Sequence, residues 1–195
     1  MKDPYFDPRC GVLRNRLGIT DPGELAEAEA SFTSVRIFQL RRHPPSGRYD
    51  LRHLQAFHRH IFGDIYDWAG EVRTVTIIKG GLFCLPQNLS STGAEVYDKL
   101  ARAGHLRGLD RPAFLDGLTK LLADINSLHP FREGNGRTQR AFLAQLTREA
   151  GHTIRWSAMD PATNVEASQA AHRDDNTPLR AMLEHLVDHY EPAEH

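Results

Sequence analysis

The residues best suited to chemistry lie in one stretch, HPFREGNGRTQR, which runs from His129 to Arg140. The stretch combines a histidine, an acid, two glycines and two arginines within twelve residues. Core packing alone does not require such a combination, because charged side chains are rarely buried and glycine contributes no side chain. We therefore expect this stretch to bind a ligand or to take part in a reaction.

The two glycines predict an anion-binding nest. Gly134 and Gly136 flank Asn135 at the point where a new helix is predicted to begin. The first backbone N–H groups of a helix have no partner within the helix, and the helix dipole adds positive potential there. Glycine also lets an anion approach closely, because it has no Cβ atom. The pattern therefore predicts a phosphate site.

The two arginines favour a ligand with several phosphates. Arg137 and Arg140 are three residues apart, so they are neighbours on one helical face. The roughly opposite face carries Phe142, Leu143 and Leu146 and is predicted to pack inward. A guanidinium group can form paired hydrogen bonds with phosphate, and two of them beside a nest suit a polyphosphate chain.

The acid and the histidine complete the predicted chemistry. Glu133 would repel bound phosphate unless a cation lay between them, and a carboxylate with phosphate oxygens is the usual environment of Mg²⁺. His129 can titrate near neutral pH. It could therefore act as a general base that removes a proton from a hydroxyl attacking phosphorus.

This stretch resembles the signature of Fic-domain proteins, a histidine-phenylalanine-acid-Gly-Asn-Gly-Arg pattern with a second arginine three residues later. Every signature position is matched: His129, Phe131, Glu133, Gly134, Asn135, Gly136, Arg137 and Arg140. The segment HRHIFGDIYDWAGEVRTV, residues 58–75, is similar to the segment that precedes the flap hairpin in that family. Together with the surrounding helices, the resemblance covers most of residues 50–190.

The resemblance implies transfer of AMP from ATP to a hydroxyl group of a target protein, with release of pyrophosphate. His129 would be the general base for a Ser, Thr or Tyr hydroxyl, and Glu133 would hold Mg²⁺ between the α- and β-phosphates. The remaining signature residues would bind phosphate: Gly134, Asn135 and Gly136 around the chain, Arg137 at its β/γ end and Arg140 at the γ-phosphate.

The segment EVRTVTIIKGGLFCLP is predicted to form a hairpin that turns around Lys79-Gly80-Gly81. In a Fic protein this hairpin would be the flap beside the active site. Its first strand would be Thr74, Val75, Thr76, Ile77, Ile78 and Lys79. An exposed edge there could pair with an extended segment of the target and align its hydroxyl with His129. Alternatively, the hairpin only closes one end of the core.

The rest of the chain predicts a mainly α fold, a helical bundle with this one hairpin. Predicted helices cover about 22–41, 51–61, 90–102, 111–128, 135–150, 161–173 and 178–190. Asp21 followed by Pro22 and Asp50 are typical helix starts, and Pro130 should end a helix before His129. We expect one Fic domain over residues 1–195, with a core at about 50–190 and an N-terminal helical extension at 1–45.

Composition narrows the class of protein. The chain has 24 Lys and Arg against 25 Asp and Glu, a net charge of −1, which argues against a general nucleic-acid binder. It has no apolar leader at its N-terminus and no apolar run of the roughly 20 residues that span a bilayer. Cys10 and Cys84 are expected to be free thiols in a reducing compartment. We therefore expect a cytoplasmic protein.

One position favours AMP transfer over phosphorylation. Doc-like relatives, which phosphorylate their targets, carry lysine where this chain has Gly136. Two alternatives remain open: a Fic enzyme with another donor or output, such as UMP transfer or phosphorylation, and a non-catalytic, nucleotide-dependent interaction module.

The resemblance also implies control by a partner. Many Fic proteins carry an internal helix with a Ser/Thr-x-x-x-Glu-Gly/Asn motif. Here Leu25 follows the Thr20–Glu24 match and Val96 follows the Ser91–Glu95 match, so neither motif is complete. The chain thus resembles stand-alone toxins that a separate antitoxin inhibits, with its glutamate on Arg140. Toxins of this class adenylylate the ATPase subunits of DNA gyrase and topoisomerase IV.

Overall fold

The computed structural model describes residues 3–79 and 81–189. The helices of this part of the chain are α1 (Pro22–Leu40), α2 (Leu51–Phe62), α3 (Leu89–Arg102), α4 (Arg111–Leu128), α5 (Asn135–Glu149), α6 (Pro161–Ala171) and α7 (Thr177–Leu186). Two antiparallel ladders join β1 (Phe6–Asp7) to β2 (Val12–Leu13) and β3 (His152–Ile154) to β4 (Val187–His189). The predicted mainly α class is confirmed.

Local capping determines where the helices begin. Asp21 accepts a hydrogen bond from the backbone N–H of Glu24 at 2.8 Å, and Pro22 occupies the first helical position. Asp50 caps α2 in the same way, through the N–H of His53 at 2.8 Å. Such caps typically stabilise a helix by about 1 kcal/mol, so short-range sequence signals are enough to set these boundaries.

The central helix of the bundle is α4, which packs against α3, α5, α6 and α7. Its neighbour α5 also packs against α2 and β3. On α5, Phe142, Leu143 and Leu146 are all 0% exposed, which confirms the predicted inward face. Burial of each contributes about 1.5–3 kcal/mol, and it directs the opposite face of α5, with Arg137 and Arg140, outward.

The C-terminal helix differs from its prediction. A helix over 178–190 was expected, but α7 ends at Leu186 and the next three described residues form β4. Val187 is extended, with φ −98° and ψ 119°, and it pairs with Ile154 of β3. This pairing between distant segments outweighs local helical preference. Tyr190 lies outside the described residues.

The flap is less regular than predicted, and the two short ladders were not expected at all. Residues 74–79 do not form a continuous strand; the chain reverses through one bridge between Ile78 and Leu82. The N–H of Phe83 donates to the carbonyl of Ile77 at 3.3 Å. Within the described ranges, no helix combines the length and apolarity required to cross a membrane.

Candidate active site

His129 lies immediately after the last residue of α4. Its backbone is left-handed, with φ 45° and ψ 59°, and its N–H donates to the carbonyl of Ile125 at 3.0 Å. A non-glycine residue in this conformation costs on the order of 1–3 kcal/mol, so the surroundings must stabilise it. The carbonyl of His129 accepts a hydrogen bond from Nε of Arg73 at 2.8 Å, which supplies part of that stabilisation.

Arg73 joins the flap to the loop that follows α4, at His129 and Pro130. It is 1% exposed, and burial lowers the pKa of its guanidinium. It donates to the carbonyls of Val75 and Cys84 on the two sides of the flap, while its backbone N–H donates to the carbonyl of Pro130. The sequence reasoning missed this residue, whose one signal was a charge within the β-prone run EVRTV.

The imidazole of His129 is largely enclosed. The ring of Phe83 stacks on it, with centroids 4.0 Å apart. Burial, and then the charge of Arg73, lowers the pKa of His129 from its ordinary value to about 4. The side chain is therefore neutral at physiological pH, which is the form that can accept a proton.

Asn135 shapes the loop with its side chain. Its amide oxygen accepts from the N–H of Phe131 at 2.9 Å, and its amide nitrogen donates to the carbonyl of Phe131 at 2.8 Å. Phe131 itself is 0% exposed and anchors the loop in the core. The contribution of Asn135 to a phosphate site is therefore confined to its backbone N–H.

The start of α5 presents three N–H groups without partners. The N–H groups of Asn135, Gly136 and Arg137 donate to no described residue, and the helical ladder begins with Thr138 donating to the carbonyl of Gly134. These groups lie at the positive end of the helix dipole, where an anion would be stabilised.

The two glycines serve different purposes, which corrects one part of the sequence argument. Gly134 has φ +78°, and a Cβ there would meet Cζ of Phe62 at 2.2 Å. Gly134 is thus needed for its backbone conformation and for the packing of Phe62, not for approach of an anion. Gly136 is exposed, and a Cβ there would lie 3.2 Å from Nη1 of Arg140. Only Gly136 leaves space on the ligand side.

Glu133 is placed where a cation could bind. One carboxylate oxygen accepts from the N–H of Gly134 at 2.8 Å, and the side chain is 45% exposed. The other oxygen has no hydrogen-bond partner among the described residues. An exposed carboxylate beside a phosphate nest fits Mg²⁺, which binds through one or two carboxylates together with phosphate oxygens and water.

His58 fixes the backbone of Glu133 from within the core. The N–H of Gly70 donates to Nδ1 of His58 at 2.8 Å, so the proton of the neutral ring is on Nε2, which donates to the carbonyl of Glu133 at 3.0 Å. Burial lowers the pKa of His58 to about 4, and the ring stacks on Phe131 at 3.9 Å. The sequence reasoning assigned no role to this histidine.

The two signature arginines have different surroundings. Arg137 binds the carboxylate of Glu29 on α1, a residue the sequence reasoning did not identify. Arg140 forms no hydrogen bond or ion pair with any described residue, and burial, then the charge of Arg137, lowers its pKa. A cavity of about 380 Å³ lies beside Arg140 and is lined in part by Ile37, Leu40, Arg148 and Trp156.

The flap lies against His129 and is held from the other side by α6. The ring of His172, next to the end of α6, packs edge-on to Phe83 at 5.4 Å, and its Nε2 lies 3.1 Å from the carbonyl of Leu82. Neither Phe83 nor His172 was identified from the sequence, where nothing distinguishes them. The structure therefore brings the flap, the imidazole and the loop of Glu133 together.

Comparison with known proteins identifies the family. The model of the Fic/DOC family matches residues 48–147. Protein adenylyltransferase VbhT of Bartonella schoenbuchensis is 40% identical over 182 residues, which cover 93% of this chain; the chain spans only 38% of VbhT. "Probable protein adenylyltransferase y4lH" of Sinorhizobium fredii is 39% identical, and the match covers 96% of this chain and 97% of that protein.

Solved structures agree with the sequence matches. The N-terminal Fic domain of a VirB-translocated Bep effector from Bartonella quintana, solved with bound ADP, matches with a TM-score of 0.89 and 26% identity, over 96% of this chain and 95% of that one. The type IV secretion effector BepA matches with a TM-score of 0.86 and 27% identity, over 94% of this chain and 68% of that one. The chain therefore belongs to the Fic/DOC family.

Proposed function

We propose that this chain is a protein adenylyltransferase, which transfers AMP from ATP to a Ser, Thr or Tyr hydroxyl of a target protein. The observation that carries the proposal is the unpartnered set of donors at the start of α5, beside a neutral His129. Relatives named as protein adenylyltransferases support it, among them y4lH, which the chain matches over nearly its whole length.

In the proposed reaction His129 acts on the target and the nest acts on ATP. The neutral imidazole accepts the hydroxyl proton as the hydroxyl oxygen attacks the α-phosphorus. The bond between the α-phosphorus and the oxygen bridging to the β-phosphate breaks, and pyrophosphate leaves with that bond's electron pair. A general base of this kind typically contributes about 10²–10⁴-fold to the rate.

Charge on the phosphates would be neutralised by groups of the chain. The free N–H groups of α5 and the guanidinium of Arg140, which have no partner among the described residues, would bind the phosphates together with Arg137. Glu133 would hold Mg²⁺, which would screen the phosphates from each other and from the carboxylate. Electrostatic stabilisation of this type needs no covalent nucleophile. The ADP bound to the Bartonella quintana relative supports a nucleotide at this site.

ATP labelled separately at the α- and γ-phosphates tests the proposal. We expect the α label, and no γ label, to appear on a protein band of a cell lysate, and His129→Ala to abolish it. His185→Ala is the matched control, because His185 is an exposed histidine of α7. Transfer of the γ label would indicate phosphorylation, and preference for labelled UTP would indicate UMP transfer. A His129→Ala variant that kept its cellular effect would indicate a binding module.

Two features support the flap as the docking site of the target. The backbone N–H and carbonyl of Thr76 form no hydrogen bond with any described residue, so an extended segment could pair there. Ile78 is 76% exposed and Leu82 is 55% exposed, which leaves apolar surface for side chains of the target. If the flap only closed the core, these groups would have no reason to remain free.

We also propose that a separate partner inhibits the enzyme by inserting a glutamate onto Arg140, as in a toxin–antitoxin pair. Support comes from the absence of any described partner for Arg140 and from the cavity beside it, which combines apolar walls with Arg148. The purified chain should then be active alone, and no substitution of an internal glutamate should raise its activity. An inactive chain that such a substitution activates would overturn this proposal.

The proposed targets, the ATPase subunits of DNA gyrase and topoisomerase IV, are supported only by the family resemblance. Such targets would place the reaction in the cytoplasm. Incubation of purified gyrase with the chain and α-labelled ATP should label the ATPase subunit. If the lysate yields a labelled band of another protein while gyrase stays unlabelled, the target proposal is wrong and the adenylyltransferase proposal stands.

A further inference from the structure

We infer that Glu29 of α1, held by Tyr66, is a positioning residue that orients Arg137 for phosphate binding. The inference deepens the proposed function and rests on it, because it assigns a role to Glu29 through Arg137. Glu29 lies outside the signature and outside the residues 48–147 that match the family model. It was singled out by its contacts alone.

The guanidinium of Arg137 is held by three groups at close range, and its Nη2 also lies 3.9 Å from a carboxylate oxygen of Glu133. Nη2 donates to one carboxylate oxygen of Glu29, Nη1 donates to Oγ1 of Thr33 at 3.2 Å, and Cζ lies 4.8 Å above the ring of Phe62. A guanidinium has five N–H donors, so these two hydrogen bonds leave three donors available. The side chain is 25% exposed. Arg137 can therefore bind Glu29 and a phosphate at the same time.

The carboxylate of Glu29 is itself fixed. Its second oxygen accepts a hydrogen bond from the hydroxyl of Tyr66, which is 1% exposed and stacks on Trp68 with ring centroids 4.3 Å apart. The side chain of Glu29 is only 12% exposed. Both carboxylate oxygens of Glu29 thus have defined partners. The partner of the second oxygen, Tyr66, belongs to the buried core.

Thr33 further restricts the orientation of the Arg137 guanidinium. Its hydroxyl donates its one proton to the backbone carbonyl of Glu29 at 2.7 Å, so toward Arg137 it can only accept. Thr33 is 2% exposed and lies one turn after Glu29 on the same helix. Helix α1 therefore presents two acceptors, four residues apart, to one guanidinium, which fixes the plane of that group as well as its position.

The negative charge of Glu29 distinguishes a positioning role from a role in attracting phosphate. A carboxylate beside Arg137 weakens the attraction of that arginine for phosphate, so Glu29 would be unfavourable if affinity alone mattered. Its compensating effect is to hold the guanidinium in one orientation before ATP arrives, which lowers the reorganisation needed in the transition state. The opposite reading, that Glu29 competes with phosphate for Arg137, predicts the reverse outcome on substitution.

The test compares Glu29→Gln and Tyr66→Phe with Glu27→Gln, a control that makes the same chemical change at an exposed position of the same helix. We expect kcat for AMP transfer to fall roughly 10- to 100-fold in Glu29→Gln, and less in Tyr66→Phe, with KM for ATP changed by less than about threefold. Glu27→Gln should match the unchanged chain. A lower KM for ATP or a higher rate in Glu29→Gln would overturn the inference in favour of competition, and unchanged kinetics would overturn it outright.

A coupling experiment separates positioning from a general loss of structure. If Glu29 acts through Arg137, then Glu29→Gln should have little further effect on kcat once Arg137 is replaced by alanine, whereas structural damage would add to the loss. Should Glu29→Gln fail to fold, Tyr66→Phe carries the same test with a smaller change. If the unchanged chain and Glu27→Gln transfer AMP and Glu29→Gln equals them, this inference alone fails. If the unchanged chain transfers nothing, the proposed function fails with it.

Discussion

The imidazole of His129 has a lower pKa than a histidine in solution, even before any ligand binds. Burial and the neighbouring Arg73 lower its pKa to about 4, so it is already deprotonated when ATP and the target arrive. A base with so low a pKa is weak in the free enzyme. The negative phosphates of bound ATP would raise the pKa and strengthen the base at the moment of transfer.

This environment predicts an unusual pH profile for AMP transfer. Because kcat/KM reports the pKa values of the free enzyme, it should show no fall centred at about pH 6.5, the ordinary value for histidine, when pH is lowered from about 8 to 5.5. Label incorporation at low ATP concentration, measured in buffers of constant ionic strength, gives the profile. An inflection near pH 6.5 that is the same in the unchanged chain and in His185→Ala would contradict the burial argument.

The sequence singles out candidate site residues only where they lie in one contiguous stretch. The signature from His129 to Arg140 could be interpreted because its spacing encodes a loop and a helix start. Glu29 could not, since α1 carries Glu27 two residues earlier and only the packing of α1 decides which carboxylate meets Arg137. Arg73 was missed for the same reason: its hydrogen bonds reach residues 11 and 56 positions away.

At the scale of elements, helices and β segments differ in how far the sequence determines them. The starts of α1 and α2 depend on caps within four residues and were predicted closely. The two ladders were not predicted: β1 and β2 are only two residues long each, and β3 with β4 depends on pairing between segments far apart in the sequence, such as Ile154 with Val187. The flap belongs to the second group, because Arg73, His172 and the bridge between Ile78 and Leu82 shape its described residues.

The flap's exposed apolar surface leads to a prediction about the target. Ile78→Ser removes a side chain that is 76% exposed and makes no contribution to the core, so the fold and ATP binding should be unaffected. We expect KM for the protein target to rise roughly 10-fold with kcat within about twofold, as for loss of an apolar contact worth 1–2 kcal/mol. Steady-state transfer to a purified target measures both constants.

The matched control for the flap is Val35→Ser, which removes another β-branched side chain that is 57% exposed, on α1 and away from the flap. It should leave KM for the target unchanged. Equal effects of the two substitutions would mean that the flap does not dock the target and serves only to close the core.

At the scale of the whole molecule, buried neutral histidines join the elements around the site. His58 links α2 to the backbone of Gly70 and Glu133, and His129 links the end of α4 to the flap through Phe83. His58 is an uncharged part of the packed interior and His129 is largely enclosed, so a proton on either would create a poorly solvated charge. A fall in pH should therefore affect both the candidate site and the stability of the core.

That sensitivity gives a prediction for stability. In the unfolded chain a histidine binds a proton below about pH 6.5, whereas folded His58 and His129 stay neutral until about pH 4. The unfolded state thus binds more protons in this window, so the free energy of unfolding falls as pH drops through it. Urea unfolding at about pH 7.5 and 5 should show a difference of about 2 kcal/mol from each histidine.

Substitution of His58 separates its contribution to this pH dependence of stability from that of His129. His58→Gln keeps an acceptor and a donor but cannot titrate, so the variant, though less stable overall, should lose about 2 kcal/mol of the difference between the two pH values. His43→Gln, at an exposed position just beyond α1, should keep the full difference. If both variants retain it, His58 is protonated as easily in the folded chain as in the unfolded one. Its ring could not then be the neutral donor that fixes Glu133, and the backbone of the nest would need another support.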